Sequence, residues 1–363
     1  MNVVEATRSY EAWLGEHIPI IRADLAAKHE RMADDSFCFL RATFYRWIQL
    51  LPELCAAACQ APAVLSVGDL HVENFGTWRD AEGRLIWGIN DFDEAAPLPY
   101  TNDLVRLATS ASLAIEQEDL ILPLPVACAA ILDGYTTGLE AGGHPFVLSE
   151  QHRWLRDIAT SKLRDPTLFW EKFTVLPTLK RVPPKVLALL RSALPNQDIP
   201  FRVAHRQAGL GSLGRERYVA LTEWCGGKIA REAKPLVPSA SVWSGLRPHD
   251  HRIHYAEILR RSARAADPFL CLHDAWILRR LSPYCSRIEL AALPRSREEE
   301  KLLWGMGREL ANIHIGQRSA LPRILEDLRR RKPKWLRQST EIMTAATLRD
   351  WKAWRKRGGR GSS

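Results

Sequence analysis

The sequence predicts an α+β protein built from a large helical part and a smaller β-rich part. Three observations predict this. Apolar residues recur near helical spacing from the start to about position 60. The pattern then changes to short β runs from Ala63 to Asn90, and a second group of β-prone runs occupies residues 201–285. With 363 residues, 46% hydrophobic and 26% charged, the chain lies in the globular range.

In chain order, Trp13, Ile18, Ile21 and Leu25, then Phe39, Tyr45, Trp47 and Leu50, form the first helical stripes. AVLSVGDL and RLIWGIN read as strands separated by TWRDAEG, whose Asp-Ala-Glu-Gly is hairpin chemistry. A helix follows from Asn102 to Ile115 with Leu104, Leu107 and Ala108 on one face, and another from Leu120 to Glu140. Residues 141–200, rich in proline and charge, read as a connection between lobes. RVAHRQAG, RYVALTEW and KIAREAKPL then read as strands, HDHRIHYAEILRRSARA as a helix, and FLCLHDA and WILRRLSP as two more strands. SREEEKLLWGMGRELANIHIGQ is a helix, with Ser296 and Glu299 resembling a capping box and Leu302, Leu303, Met306 and Leu310 as its stripe. The expected division is a helical lobe over 1–200, a β-rich lobe over 201–285, returning helices over 286–345 and a basic flexible tail over 346–363.

Composition excludes several classes. No apolar run is long enough to span a membrane, and the N-terminal segment lacks the pattern of a signal peptide, so a cytoplasmic protein is expected. The 7 cysteines are odd in number and form no CxxC pair, against a disulfide framework or zinc knuckle. A formal charge of +9 favours anionic partners, but much of it lies in RRRKPKWLRQ and WKAWRKRGGRGSS, where a solvated helix and frayed tail account for it as well as nucleic-acid binding does. No GxSxG or HExxH motif is present.

The chemistry concentrates in two blocks. VGDLHVENFG sets Asp69, His71, Glu73 and Asn74 in a loop directly after a strand, and INDFDEA brings Asp91 and Asp93 to the end of another. Two strand ends side by side can hold carboxylate and amide oxygens around one Mg²⁺, which favours such ligands together with phosphate. Asp69 and Asn74 have the spacing of the kinase catalytic loop, in which the Asp takes the substrate hydroxyl proton and the Asn holds a metal. Asp91 then stands where the metal-binding Asp of DFG would. His71 reads as a loop organiser that hydrogen-bonds the backbone.

GDLHVENFG, NDFDEA and DLVRLATS resemble the bacterial domain-of-unknown-function family 2252, whose motifs are similar to those of aminoglycoside phosphotransferases and other atypical kinases. The resemblance runs from about RMADDSFCFLRA to ANIHIGQ. It implies that Asp103 braces the catalytic loop through its backbone, and that Arg106 and Arg41 either hold phosphate or pair with the acids.

The second block, QAGLGSLGRERYVAL, carries Gly209, Gly211 and Gly214 in GxGxxG spacing, followed by a β-prone run and not by a helix. That is the setting of a kinase phosphate-covering loop, to which Ser212 can add a hydroxyl. A cation on the third strand and a Glu on the next helix are then required. Arg231 stands where family members resembling this chain have Lys, with Lys234 as a substitute if the register shifts, and Glu257 is the helix acid. His249, His251 and His254 read as solvated histidines at a helix start.

The order of the parts is reversed relative to an ordinary kinase, since the catalytic loop precedes the glycine loop and ELANIHIGQ comes last. The expectation is therefore a two-lobed, circularly permuted protein-kinase-like fold that uses ATP and Mg²⁺ to phosphorylate a hydroxyl-bearing small molecule or protein. The rivals are a weak nucleotide-binding regulatory module and a metal-dependent phosphoesterase.

Overall fold

The computed structural model describes residues 1–148, 152–160, 165–283, 285 and 298–358, with backbone alone at 157–160 and 358. The opening segment folds as α1 (Val3–His17), α2 (Arg22–Asp34), α3 (Ser36–Ala42), α4 (Phe44–Leu54) and α5 (Ala56–Cys59). Helix α1 starts where Asn2 accepts the Val4 and Glu5 amides and Glu5 reaches back to the Asn2 amide.

Strand β1 (Ala63–Ser66) leads into the loop that carries Asp69 to Asn74, and β2 (Phe75–Arg79) leaves it. After β2, β3 (Leu85–Ile89) completes a hairpin whose turn is organised by Asp80, which accepts the Glu82 and Arg84 amides. The strand on the near side of that turn takes in Thr77–Arg79, which the sequence reading had assigned to the connection. Strand β4 (Ala96–Pro99) pairs back to β1, so the loop lies between strands of different sheets.

Beyond it come α6 (Thr101–Glu116), α7 (Leu124–Glu140), β5 (Phe146–Val147), α8 (Arg153–Thr160), α9 (Pro166–Thr174) and α10 (Pro184–Ser192). The short β5 joins β3 as the third strand of the hairpin's sheet. The β-rich part contains β6 (Arg202–His205), β7 (Tyr218–Trp224), β8 (Gly227–Pro235), α11 (Ala240–Trp243), α12 (Tyr255–Arg261), β9 (Cys271–His273) and β10 (Trp276–Leu281). Its five strands form an antiparallel sheet in the order β6-β7-β8-β10-β9. The chain then returns through α13 (Glu299–His314), α14 (Leu321–Arg330) and α15 (Trp335–Gly358). The fold class is thus α+β with several small sheets.

One core unites the first and last parts. Leu70, Phe75, Trp87, Phe92 and Leu104 pack in the same buried cluster as Met306 and Leu310 of α13. Helices α7 and α13 cross closely because both carry glycine at the contact: a Cβ on Gly134 would stand 1.9 Å from the Trp304 carbonyl, and one on Gly307 2.1 Å from that of Ile131.

Three expectations change, and one falls outside the described residues. The helix read from His249 to Ala265 shortens to α12, because the residues before it form a polar cap in which buried His254 contacts Asp250 at 2.9 Å and Glu257 at 3.0 Å. His254 is therefore not solvated. Ser296 lies outside the described residues, while Glu299 accepts the Ile121 and Leu122 amides, 2.9 and 3.1 Å away. The stretch expected to be a flexible tail from position 346 is helical to Gly358, because Trp354 is buried beside Val3, Met32 and Leu213. Among the described residues no helix is long and apolar enough to cross a membrane.

Candidate functional site

The loop after β1 is built to present polar groups to one side. Gly68 adopts φ +84°, and a Cβ there would meet the Glu94 carbonyl at 2.3 Å, so glycine lets the chain turn sharply against the neighbouring acidic segment. Asp103, fully buried at the start of α6, grips this turn: its oxygens accept the Val67 amide at 2.7 Å and the Gly68 amide at 3.0 Å. Asn102 Nδ2, at 2.9 Å, and His314 Nε2 of α13, at 3.0 Å, complete the cluster. Tyr135 Oη lies 2.8 Å from the other nitrogen of His314; a proton on Nε2 lets His314 donate to Asp103 and accept from Tyr135. Asp103 thus holds the backbone of this loop.

Asp69 and Asn74 face the cleft above that support. Arg106, buried on α6 against the rings of Phe44 and Trp47, ion-pairs through Nε and Nη2 with Asp69 Oδ1 and also donates to the Leu40 carbonyl. Arg41 ion-pairs with Glu73. Both arginines are therefore engaged by acids. Asn74 Nδ2 donates to the Asp69 and Asp91 carbonyls, at 3.2 and 3.1 Å, tying the two motif loops together. Its Oδ1 is buried without a partner. His71 Nδ1 accepts the Glu73 amide at 3.2 Å, the backbone contact anticipated for it.

The glycine loop closes the cleft from the β-rich side. Gly209, Gly211, Ser212, Asp69, Asn74 and Asp91 line one cavity of about 60 Å³. Gly211 approaches so closely that a Cβ on it would lie 3.6 Å from Asp69 Oδ2. Helix α2 holds the loop down: Lys28 Nζ donates to the Gly211 carbonyl at 3.2 Å, the Ile21 amide to that of Gly214 at 2.8 Å, and Asp24 engages His205 and Gln207. Gly214 packs on Leu25 and is absent from the cavity wall, so within the glycine run the wall is Gly209 to Ser212.

Along β8, side chains alternate between the sheet's faces. Lys234 falls on the cleft side, its Nζ 2.7 Å from Asp93 Oδ1 and 3.9 Å from Asp91 Oδ1. Arg231 falls on the opposite face, donating to the Ala193 carbonyl and stacking on Phe269. The cation next to the motif acids is therefore Lys234 and not Arg231. Glu257 pairs with His254 and Arg261 on α12, away from the cavity, so it positions no cleft cation. The acid sharing the cleft face of β8 is Glu232, fully buried among Arg206, Arg217 and Arg279.

Burial shapes the electrostatics here. It raises the Asp69 carboxyl above its ordinary value, and Arg106 opposes the shift. It also raises Asp93, with Asp91 adding to the rise, and lowers Lys234. Glu94 is pushed up to about 7 by burial, and Lys28 down to about 8. Lys28, Glu94 and Arg215 escaped the sequence reading. Arg215, buried 3.8 Å from both Asp93 and Glu94, has Nε and Nη1 without hydrogen-bond partners. Glu94 directly follows the acidic motif and Arg215 the last glycine, so adjacency was the available signal for both; Lys28 sits on an ordinary amphipathic helix and left none.

The donor set suits a hard cation that brings oxygen ligands of its own. Among the described residues no group of three or more His, Cys, Asp or Glu has the arrangement of a metal site. Asn74 Oδ1, buried and unpaired, and the Asp91 carboxylate would be the oxygens to hold a Mg²⁺ ion, which commonly takes one or two protein ligands with phosphate and water. Asp93 is occupied by Lys234 and is the less apt ligand.

No curated protein and no solved structure matches the chain. One family model does, over residues 21–147, a shorter stretch than the expected resemblance and one that ends well before α13. That span contains Asp69, Asn74, Asp91 and Asp103, and its match to the family described as "Uncharacterized protein conserved in bacteria (DUF2252)" supports that family for this segment.

Proposed function

We propose that the protein is an ATP- and Mg²⁺-dependent phosphotransferase with a circularly permuted, kinase-like arrangement, acting on a hydroxyl-bearing small molecule or protein. The observation that carries this reading is the meeting of Asp69, Asn74 and Asp91 with the glycine loop in one cavity, with the unpaired Asn74 Oδ1 and the Lys234 cation at its edge. The parts correspond in kind and relation to those of phosphoryl transfer: glycine loop, lysine on the third strand, catalytic Asp with Asn five positions on, and a second Asp after a hairpin.

In this mechanism Asp69, anchored through Oδ1 by Arg106, orients the acceptor hydroxyl with Oδ2 and takes its proton; burial makes it a better base than an exposed carboxylate. Asn74 and Asp91 would hold the cation, which would supply neutralisation of phosphate charge. Lys234 approaches the same phosphates from the strand, and the backbone of Gly209 to Ser212 covers them. A volume of about 60 Å³ is close to that of two waters, so it admits an ion or a single phosphoryl group. The remainder of a donor must occupy space outside it.

The test is thermal unfolding with and without ATP and Mg²⁺, alongside Asp91→Asn. A ligand present at 100 times its Kd stabilises the folded state by about 2.7 kcal/mol, so a Mg²⁺-dependent rise in Tm is expected in the wild type and not in the variant. Equal shifts in both proteins would refute the assignment of Asp91. Binding without turnover would favour the regulatory-module reading, for which the lock of α2 on the glycine loop is the supporting observation.

A further inference from the structure

A second cavity, of about 440 Å³, adjoins the acidic cleft and shares Arg41 and Gly209 with it. Its size is that of a small-molecule site. Five arginines line it, Arg41, Arg206, Arg264, Arg279 and Arg280, with Glu73 and Asp267 as the acids.

These arginines are short of counter-charge. Arg41 uses Glu73. Arg206 and Arg279 share the single carboxylate of Glu232 with Arg217, three guanidiniums on one buried acid. Arg264 donates to the Ile89 carbonyl and lies 4.5 Å from the centre of the Trp78 ring. Arg280 lies 4.0 Å from the centre of the Phe269 ring, and its Nε is buried without a partner. Neither has a carboxylate at ion-pair distance among the described residues; Asp267 of the same wall acts on both from farther off, and Glu309 on Arg264. Partly buried positive charge without compensation costs stability, and an arginine fork is the group best matched to phosphate oxygens.

We propose that this cavity is a binding site for a polyphosphate chain, free or as the tail of a nucleotide, held by Arg264, Arg206 and Arg279, with Arg280 lining it from the other face of β10. The guanidiniums along the wall suit successive phosphates better than a neutral base. This inference uses none of Asp69, Asn74 or Asp91, so it does not depend on phosphoryl transfer at the neighbouring cleft.

The experiment is titration of the full chain with inorganic tripolyphosphate in EDTA, read by calorimetry and thermal shift, with ATP and adenosine as separate arms. Tripolyphosphate is expected to bind and raise Tm without metal, and adenosine to do neither. ATP binding comparable with that of tripolyphosphate identifies the nucleotide tail as a source; much weaker ATP binding identifies free polyphosphate. Both results support the site. Arg280→Gln, which removes a guanidinium having no carboxylate partner, should keep the unliganded Tm and weaken tripolyphosphate about 10-fold, the loss of one charge-assisted contact, while Arg280→Lys recovers part of it. Asp91→Asn removes a negative charge that acts on Arg279 and should not weaken metal-free binding, separating failure here from failure of the catalytic reading. An unchanged affinity in Arg280→Gln would mean diffuse attraction to a chain of net charge +9 and would overturn the proposal. So would adenosine binding as tightly as ATP.

Discussion

Replacing Asp103 by Asn tests the support beneath the loop that carries Asp69. The native carboxylate accepts two donors on each oxygen, Val67 N and His314 Nε2 on Oδ2, Gly68 N and Asn102 Nδ2 on Oδ1. An amide of the same shape keeps one accepting oxygen and turns an NH₂ toward the other pair. Two hydrogen bonds to a buried charged acceptor are lost, at roughly 1.5–3 kcal/mol each, and relief from burying the charge returns part of this. The expected net loss is about 3 kcal/mol in urea unfolding at neutral pH, accompanied by faster hydrogen exchange at the Val67 and Gly68 amides than elsewhere in the core. A loss below about 1 kcal/mol, or native protection of both amides, would refute the bracing role.

The exchanged roles of the two β8 cations make a paired prediction: Lys234→Ala should weaken Mg²⁺-ATP binding about 10-fold or more, while Arg231→Ala should leave it within about 2-fold and cost about 1–2 kcal/mol of stability through its lost carbonyl contact. Calorimetry and denaturation of the two variants decide it; the reverse pattern would return the site to Arg231. Glu94 predicts a pH effect. Its folded-state pKa of about 7 exceeds the ordinary 4.5, so its stabilising effect is full below pH 4.5 and is lost as pH rises through 7. The loss is about 3 kcal/mol by linkage, and Glu94→Gln should flatten the stability profile across that window.

The first block was legible because its chemistry is local. Asp69, Asn74, Asp91 and Asp103 belong to contiguous motifs, and the hairpin between them is fixed by a turn that Asp80 organises. The cation on β8 was not legible in the same way. KIAREAKPL carries charge on both faces, so alternation alone cannot tell which face meets the cleft, and a one-residue change of register exchanges Arg231 for a neighbour on the other side. Glu257 was misread because a helix acid was sought at the kinase position, whereas here the strand lysine is neutralised by Asp93. The basic end looked like a tail because its charges are exposed, and the residues that dock it, Trp354 and Asp350 among them, find their partners far away in sequence.

The contact between Asp103 and His314 spans 211 residues and has a consequence in time. At a synthesis rate of about 5–20 residues per second, the loop acid leaves the ribosome's active centre some 10–40 s before the histidine that completes its shell. During that interval the glycine-notched side of α7, later covered by α13, stays open to water, and the loop stands on an incompletely paired carboxylate. The order of the parts that makes the Asp69 loop early in the chain also makes its last support late, so the nascent protein should depend on chaperone shielding until α13 arrives.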